Sequence, residues 1–260
     1  MRGLRPVLCG LLACAPLVLA QRPSDADSHA LIERSRQKAL AYTESLPDFE
    51  CTQVVHRDVA PSDGKHTLGW QRMDVLTVKL RYFQHVEEHK LELINGSPSD
   101  KKYEQLAGAI GKGEFGGVLR TIFDPASDTT FDWDSWKTVK KRRMAVYQYA
   151  LSSARSRYAL SHNGGEAIVG LHGVVEIDTE TAEVLHFTYV AYDIPTAINL
   201  QSAVSSVDYD LADVGGRNYL LPVRSETELH SSELWSRNKM EFRGYRKFSA
   251  DSVIDFGTGK

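Results

Sequence analysis

The possible folds of this 260-residue chain are restricted above all by a period-two alternation of apolar and polar side chains. It is clearest between His172 and Pro195, where Val174–Ile177 and Val184–Tyr192 read as two strands joined by a polar turn at Asp178–Thr181. In the second strand the two faces carry Phe187, Tyr189 and Ala191 on one side, and His186, Thr188, Val190 and Tyr192 on the other. This segment is predicted to form a hairpin in the middle of a long antiparallel sheet.

Similar alternating runs flank the hairpin on both sides. They are Phe49–Arg57, Met73–Phe83, Glu87–Ile94, Thr130–Trp136, Met144–Leu151, Ser156–Ser161, Val204–Asp210, Tyr219–Leu229, Lys239–Phe248 and Ser252–Phe256. Turn signals stand between them at Asn95-Gly96, Asn163-Gly164-Gly165 and Gly215-Gly216. Because helices are too few for βαβ alternation, the sequence predicts an α+β domain, mainly antiparallel β.

Two helices are predicted. The first is capped by Asp27 or Ser28 and ended by Pro47, and we expect it to lie across the sheet. Its modest apolar stripe consists of Ile32, Ser35, Ala39, Tyr42 and Leu46. The second is short, with one apolar face formed by Phe115, Leu119 and Ile122 and a stop at Pro125. Glycines at positions 108, 111, 113, 116 and 117 predict that this second segment is a mobile flap.

The first 20 residues have the build of a secretory signal. Arg2 and Arg5 precede an apolar run, and Val18-Leu19-Ala20 offers small residues for cleavage after Ala20. A rival interpretation is lipidation at Cys14, but the apolar run continues past Cys14 where a lipoprotein carries a polar tether. We therefore expect a signal peptide over 1–20 and one β-rich domain over 21–260, exported to the periplasm or associated with the outer membrane.

Charge and cysteine content exclude some classes of function. Without the signal the chain carries 29 basic and 34 acidic residues, a net charge of −5, which disfavours a nucleic-acid partner. Cys51 is then the one remaining cysteine, so no internal disulfide is expected. Its position on the Phe49 side of a strand predicts a buried, inert thiol.

Several short strings match catalytic motifs in the wrong context. Gly111–Val118, His56-Arg57-Asp58 and Asp255-Phe256-Gly257 resemble protein-kinase elements, but their order along the chain is wrong. The same glycines match a dinucleotide fingerprint without the preceding strand that it needs. His85–His89 matches an inverted zinc-protease motif, yet its flanks alternate, so a hairpin turn is predicted there. No metal or cofactor site is expected.

The remaining candidates each have an ordinary structural interpretation. Asp132 with Asp134, and Asp208 with Asp210, are i, i+2 carboxylate pairs that could serve acid–base chemistry but are common on the wet side of strands. The cluster Lys140–Arg143 predicts a solvated hairpin tip, with contact to anionic lipid as the alternative. For Phe131, Trp133 and Trp136 core packing is expected, with lining for a hydrophobic ligand as the alternative.

The organisation as a whole resembles a known superfamily. The hairpin Gly173–Val184 reads G-x-V-x-I-D-x-E-T-x-x-V, and with the exported start, the first helix and the flap it is similar to the periplasmic lipoprotein carriers of LolA and LolB type. The tail segments Tyr219–Glu226 and Lys239–Phe248 also resemble a group of uncharacterised exported bacterial proteins. This resemblance implies a strongly curved half-barrel sheet with helices on its concave side, a fold that holds acyl chains, but it assigns no ligand-binding residue here.

The sequence therefore favours a non-catalytic envelope binding protein for a lipid or other hydrophobic ligand. This rests on the expectation that a few helices leave part of an apolar, curved face uncovered. One alternative is a structural or protein-interaction module of the cell envelope whose concave face is filled by its own side chains. The other is a hydrolase, which would require two or three of His85, His89, Asp208 and Asp210 to converge in a pocket.

Overall fold

The structure is a computed structural model that describes residues 21–103, 106, 114–162 and 165–248. Within these ranges the helices are α1 (Asp25–Ser45) and α2 (Gly117–Phe123). The strands are β1 (Phe49–Pro61), β2 (Gln71–Phe83), β3 (Val86–Ile94), β4 (Ser97–Pro98), β5 (Thr130–Val139), β6 (Arg142–Leu151), β7 (Ala159–His162), β8 (Gly165–Ile168), β9 (Gly170–Asp178), β10 (Val184–Tyr192), β11 (Ser202–Val214), β12 (Arg217–His230) and β13 (Leu234–Lys247).

Most of the described strands form one large antiparallel sheet. Its eleven strands follow the order β4-β3-β2-β1-β13-β12-β11-β10-β9-β6-β5, and β7 and β8 pair separately. The sheet does not close, because β4 and β5 remain at its two edges. The predicted α+β class with a mainly antiparallel sheet is confirmed, and the predicted hairpin is β9–β10 in the interior of the sheet.

Helix α1 begins earlier than the sequence predicted. Ser24, not Asp27 or Ser28, is the cap, and its Oγ accepts the Asp27 N–H at 3.1 Å. Asp25 and Asp27 then lie in the first turn, where they favour the positive end of the helix dipole. The helix ends at Ser45, two residues before Pro47, as predicted. The predicted apolar stripe is buried, and Leu31 extends it.

Helix α1 crosses one face of the sheet, which we call the inner face. Four residues ahead of the helix, the Gln21 carbonyl accepts the Trp136 Nε1–H of β5 at 2.9 Å. Near its end the Tyr42 hydroxyl donates to the Leu220 carbonyl of β12 at 2.8 Å, and the Thr43 carbonyl accepts the Tyr82 hydroxyl of β2 at 3.1 Å. The helix therefore reaches from one side of the sheet almost to the other, as predicted.

Helices α1 and α2 are in close contact at the residue where α2 begins. Gly116 caps α2 with a φ of +101°, and a Cβ at this position would lie 2.5 Å from Cδ1 of Tyr42. A side chain is therefore excluded by both the backbone conformation and the neighbouring ring. The buried residues Leu119 and Ile122 match the predicted apolar face, and α2 ends before Pro125. The predicted mobility concerns the stretch from Leu106 to Phe123, of which residues 107–113 lie outside the described ranges.

The sheet curls strongly around the two helices. A flat sheet would place β1 and β5, seven positions apart in the strand order, about 34 Å from each other. The stretch between Phe115 and Phe123 is mostly helical and spans at most about 16 Å. Nevertheless, Phe115 contacts β1 and Phe123 contacts β5. The Phe115 ring lies 5.3 Å from that of Phe49 in β1, and the Phe123 ring lies 5.2 Å from that of Phe131 in β5. The result is a half-barrel with α1 and α2 on its concave, inner face, as expected.

Strand boundaries differ from the predicted ones in a few places. The run predicted at Ser156–Ser161 is a strand only over Ala159–His162, and its partner Gly165–Ile168 was missed. The first hairpin strand begins at Gly170 rather than Val174. At Gly170 the ring of Tyr192 occupies the space that a Cβ would need, so this glycine fits the strand although it lacks a side chain. The strand predicted at Ser252–Phe256 lies outside the described residues.

Candidate functional site

The four residues that a hydrolase would need are not brought together. His85 lies in the β2–β3 turn with Nδ1 3.0 Å from the Thr43 carbonyl oxygen, and His89 lies on β3. Asp208 and Asp210 lie on β11, five positions away in the strand order, or about 24 Å along the sheet. The string from His85 to His89 spans the hairpin turn that its flanks predicted.

Both β11 carboxylates face cations on the outer face of the sheet. Asp208 lies 2.7 Å from Nδ1 of His186 and 3.4 Å from Nε of Arg224, while Asp210 accepts from Lys140. The hydrogen bond from His186 outweighs partial burial and lowers the pKa of Asp208. His186 and Arg224 are the direct cross-strand partners of Asp208, and ion pairs on a solvated face, such as those with Arg224 and Lys140, contribute modestly to stability.

The pair on β5 is also on the wet side. Asp132 and Asp134 are exposed, and Asp134 accepts hydrogen bonds from Ser135 and Gln148, both at 2.8 Å. These two bonds lower the pKa of Asp134, which favours its charged, solvated form.

The basic cluster lies at the tip of the β5–β6 hairpin, as predicted. Lys140 and Lys141 form the turn with φ values of 48° and 68°. Lys140 pairs with Asp210, Arg142 pairs with Asp178, and the Arg143 guanidinium lies 3.9 Å from the centroid of the Trp136 ring. Two of the four positive charges, those of Lys140 and Arg142, are thus balanced by carboxylates within the chain.

The aromatic residues of β5 pack against the core rather than lining a common surface. Phe131 stacks on Phe123, and Trp133 meets the edge of Trp136 with ring centroids 5.9 Å apart. All three β5 rings are half-buried against core side chains.

Two other predicted features have structural roles. Cys51 is buried on the inner face of β1, and burial raises the pKa of its thiol to about 12. The kinase-like string is divided between the two faces of the sheet: His56 and Asp58 contact Arg72 on the outer face, whereas Arg57 pairs with Asp74 on the inner face. Residues 111–113 of the glycine-rich string, and the whole string at 255–257, lie outside the described residues.

Sequence reasoning missed the most unusual feature of the inner face, a continuous row of polar side chains. Each member is the direct cross-strand partner of the next, through six consecutive strands. We call this row the polar belt, and it consists of Tyr189, Ser205, Thr227, Asn238, Arg57 and Asp74. Every member is at most 9% exposed, so the belt lies inside the molecule.

The belt groups are bonded to one another and to their neighbours. The Tyr189 hydroxyl lies 2.6 Å from that of Tyr158, and the Ser205 Oγ lies 2.9 Å from the Thr227 Oγ1. Arg57 and Asp74 form a two-pronged ion pair with N···O distances of 2.7 and 2.6 Å. A buried charged pair stays stable only when such bonds replace the lost hydration.

Beside the belt the inner face becomes mainly apolar. Two residues further along their strands stand Phe187, Val207, Met240, Val55 and Leu76, all buried, and the β12 member of the same row is the buried Ser225. Beyond them Phe115 packs into an aromatic cluster with ring distances of 5.3 Å to Phe49 and 5.7 Å to Phe242. We call these side chains the apolar wall, and it is defined by Phe187, Val207, Met240, Val55, Leu76, Phe49 and Phe242. Phe115, two residues ahead of α2, covers its Phe49 and Phe242 end, and both helices lie on this face.

A buried carboxyl group stands where the wall meets the belt. Glu114 precedes α2 and is only 5% exposed; its carbonyl accepts the Tyr209 hydroxyl at 2.6 Å. Its side chain accepts from the Ser225 hydroxyl at 3.3 Å, and burial raises the pKa of this carboxyl above its usual range. Nothing in the sequence around Glu114 signals this burial, whereas inward polar residues in the strand pattern could have revealed the belt.

Within the described ranges, none of the helices is long and apolar enough to cross a lipid bilayer.

Searches for related proteins found similarity at the level of structure alone. No protein-family model matches the chain, and no curated protein matches its sequence. A LolA superfamily protein from Nitrosomonas europaea is similar over 85% of this chain and 93% of its own, at 7% identity and a TM-score of 0.35. A domain described as an outer-membrane lipoprotein-sorting protein, from Vibrio parahaemolyticus, is similar over 86% of this chain and 94% of its own, at 10% identity and a TM-score of 0.35.

A third solved structure, a DUF1329 family protein from Desulfovibrio piger, is similar over 90% of this chain and 96% of its own, at 10% identity and a TM-score of 0.37. With TM-scores below 0.5, none of these similarities places a ligand or a functional residue on this chain. The chain is thus distantly similar to LolA-superfamily proteins, the group that its sequence resembles.

Proposed function

We propose that the chain is an exported envelope protein that binds a lipid or another hydrophobic molecule carrying a polar group, with no chemistry of its own. The observation that supports this most directly is the adjacency of the apolar wall and the polar belt on the inner face. An apolar tail would gain about 25 cal/mol per Å² buried against such a wall. A polar group could exchange hydrogen bonds with the belt instead of being buried unsatisfied.

Access would involve displacement of α2 rather than of α1. Helix α1 has 21 residues and is bonded to β2 and β12, and Gln21 just ahead of it is bonded to β5, whereas α2 has seven residues, is capped by Gly116 and begins with Gly117. A short helix with few anchors opens at a lower free energy than a long one tied to several strands. We therefore propose that the ligand replaces α2 over the apolar wall.

The absence of catalysis belongs to the proposal. In the described part of the chain, the candidate acids and bases are separated by several strands or paired on the outer face. Cys51 is held as a neutral thiol by burial. None of these groups meets the geometric conditions for a nucleophile and its base.

Export through a signal peptide cut after Ala20 also remains part of the proposal. It rests on the composition of residues 1–20 and places the new start at Gln21. The packing of Gln21 against Trp136 is compatible with a domain that begins there. We place the protein in the periplasm or at the outer membrane, and N-terminal sequencing of secreted protein would test the cut.

A second function, a protein-interaction module of the envelope, is favoured by a different observation. The apolar wall is covered by the chain's own helices, and its residues Phe49 and Val55 have no exposed surface. A face filled in this way needs no ligand for its stability. In that case the partner would be another envelope protein.

Native mass spectrometry of the purified domain, before and after incubation with phospholipid vesicles and with a lysophospholipid, separates the two. We expect bound lipid in the wild-type protein and about fivefold weaker lysophospholipid binding in S205A, which removes one inward hydroxyl worth about 1 kcal/mol. S206A is the matched control, because the next residue of β11 points to the outer face. Empty protein under all conditions would contradict the binding function and favour the interaction module.

A further inference from the structure

The environment of Glu114 suggests control over the cover of the apolar wall. The residue ties β11 and β12 to the start of α2, since its backbone is bonded to β11 through Tyr209 and its carboxyl group to β12 through Ser225. Two residues later Gly116 packs under the ring of Tyr42 from α1. Whatever moves Glu114 away from the sheet therefore also moves the start of α2.

The surroundings of the carboxyl group suit its neutral form. Its own backbone N–H and the Ser225 hydroxyl donate hydrogen bonds to it, and among the described residues no cation forms an ion pair with it. Tyr158, Tyr189 and Tyr209 face it, and after burial its charge is a further reason for their raised pKa values. For a carboxylate here, the two hydrogen bonds from the backbone N–H and Ser225 compensate less than burial costs, so the neutral form is favoured.

We infer that Glu114 is a latch: neutral, it holds α2 on the inner face, and charged, it moves to solvent and releases α2 from the apolar wall. The part of this inference that concerns ligand uptake rests on the proposed function. The part that concerns the position of α2 does not depend on any ligand.

The direction of the pH effect follows from the sign of the shift. Burial raises the pKa of Glu114 in the closed state above the ordinary value of about 4.3 that it has in solvent. The closed state is therefore most stable below the ordinary value and loses stability as pH rises toward the raised one. Between the two values the opening equilibrium should increase by up to about tenfold per pH unit, and above the raised value it should level off.

Hydrogen exchange of the α2 amides in the ligand-free protein, corrected for intrinsic rates and followed from about pH 5 to about pH 9, tests the latch. We expect the pH-dependent opening in the wild-type protein and its loss in E114Q, which keeps the size and the acceptor of the side chain. In S225A, which removes a donor to the charged form, the plateau should move to higher pH. E44Q, on the exposed side of α1, should behave as wild type.

The results that would refute the latch differ from those that would refute the binding function. Flat exchange in the wild type, or an unchanged pH step in E114Q, would overturn the latch. The latch would also be overturned if the pH-dependent rise in exchange disappeared in K112Q but persisted in E114Q. This variant tests whether Lys112, which lies outside the described residues, is the titrating group. Stopped-flow uptake of a fluorescent fatty acid then addresses function: a pH step in exchange without uptake in any variant retains the latch and refutes the binding function. Uptake with flat exchange refutes the latch alone.

Discussion

The packing of α2 against α1 predicts opposite effects for two adjacent glycines. At Gly116 a Cβ would lie 2.5 Å from Cδ1 of Tyr42 and 3.0 Å from Cγ2 of Thr43, and the φ of +101° is unfavourable for alanine. Left-handed backbone adds about 1–2 kcal/mol and overpacking about 1–3 kcal/mol. We expect G116A to lower the free energy of unfolding by about 2–5 kcal/mol, or the Tm by roughly 4–20 °C.

Gly117 provides the matched control. It is exposed, it is the first residue of α2, and nothing lies within 4 Å of its ideal Cβ. G117A should raise stability by about 0.5–1 kcal/mol, or the Tm by roughly 1–4 °C, because alanine loses less backbone entropy in a helix. Thermal unfolding followed by circular dichroism measures both variants. A G116A protein as stable as wild type, or two variants that shift in the same direction, would refute the described contact between the helices.

Three further predictions concern buried polar groups. D74N should destabilise the protein by about 3–5 kcal/mol in urea unfolding, whereas the double variant R57M/D74L should come close to wild type, and equal losses in both would contradict a buried pair. Burial raises the pKa of Asp178, but hydrogen bonds from backbone N–H groups and the charge of Arg142 lower it further, so the net shift is downward. The charged carboxylate therefore stabilises the fold fully above the ordinary pKa, and this stabilisation is lost as pH falls through the lowered pKa. D178N should therefore lose stability at pH 7 and little at about pH 2, and a loss independent of pH would argue against this. Cys51 should react with a thiol reagent only after unfolding, and rapid labelling of native protein would disprove its burial.

Local pattern predicted the elements well. The alternation around Phe187, Tyr189 and Ala191 gave the correct buried face of β10, and Pro47 gave the correct end of α1. The predicted boundaries were wrong where a contact outside the local pattern determines where an element begins. The cap is Ser24 because its side chain reaches the Asp27 N–H, and Gly170 belongs to a strand because Tyr192 covers it.

The candidate site depends on the register between paired strands, which local sequence patterns do not reveal. Arg57 and Asp74 could each be recognised as inward polar residues once strand faces are assigned. That Arg57 lies between Asp74 and Asn238 follows only from the pairing of β1 with both β2 and β13. The burial of Glu114 likewise comes from long-range packing, since its partners Tyr209 and Ser225 are about a hundred positions away in the chain.

The placement of β1 has a consequence for how the molecule reaches its native state. Phe49 pairs with Tyr82 of β2 on one side and with Lys247 of β13 on the other. The hydrogen bonds between β1 and β13 can therefore form only after β13 is present. Contacts across such sequence distance slow folding, because a very large loop must close before they are rewarded. Until the carboxyl-terminal strand is available, β1 can pair with β2 alone, and its other edge keeps unpaired backbone groups.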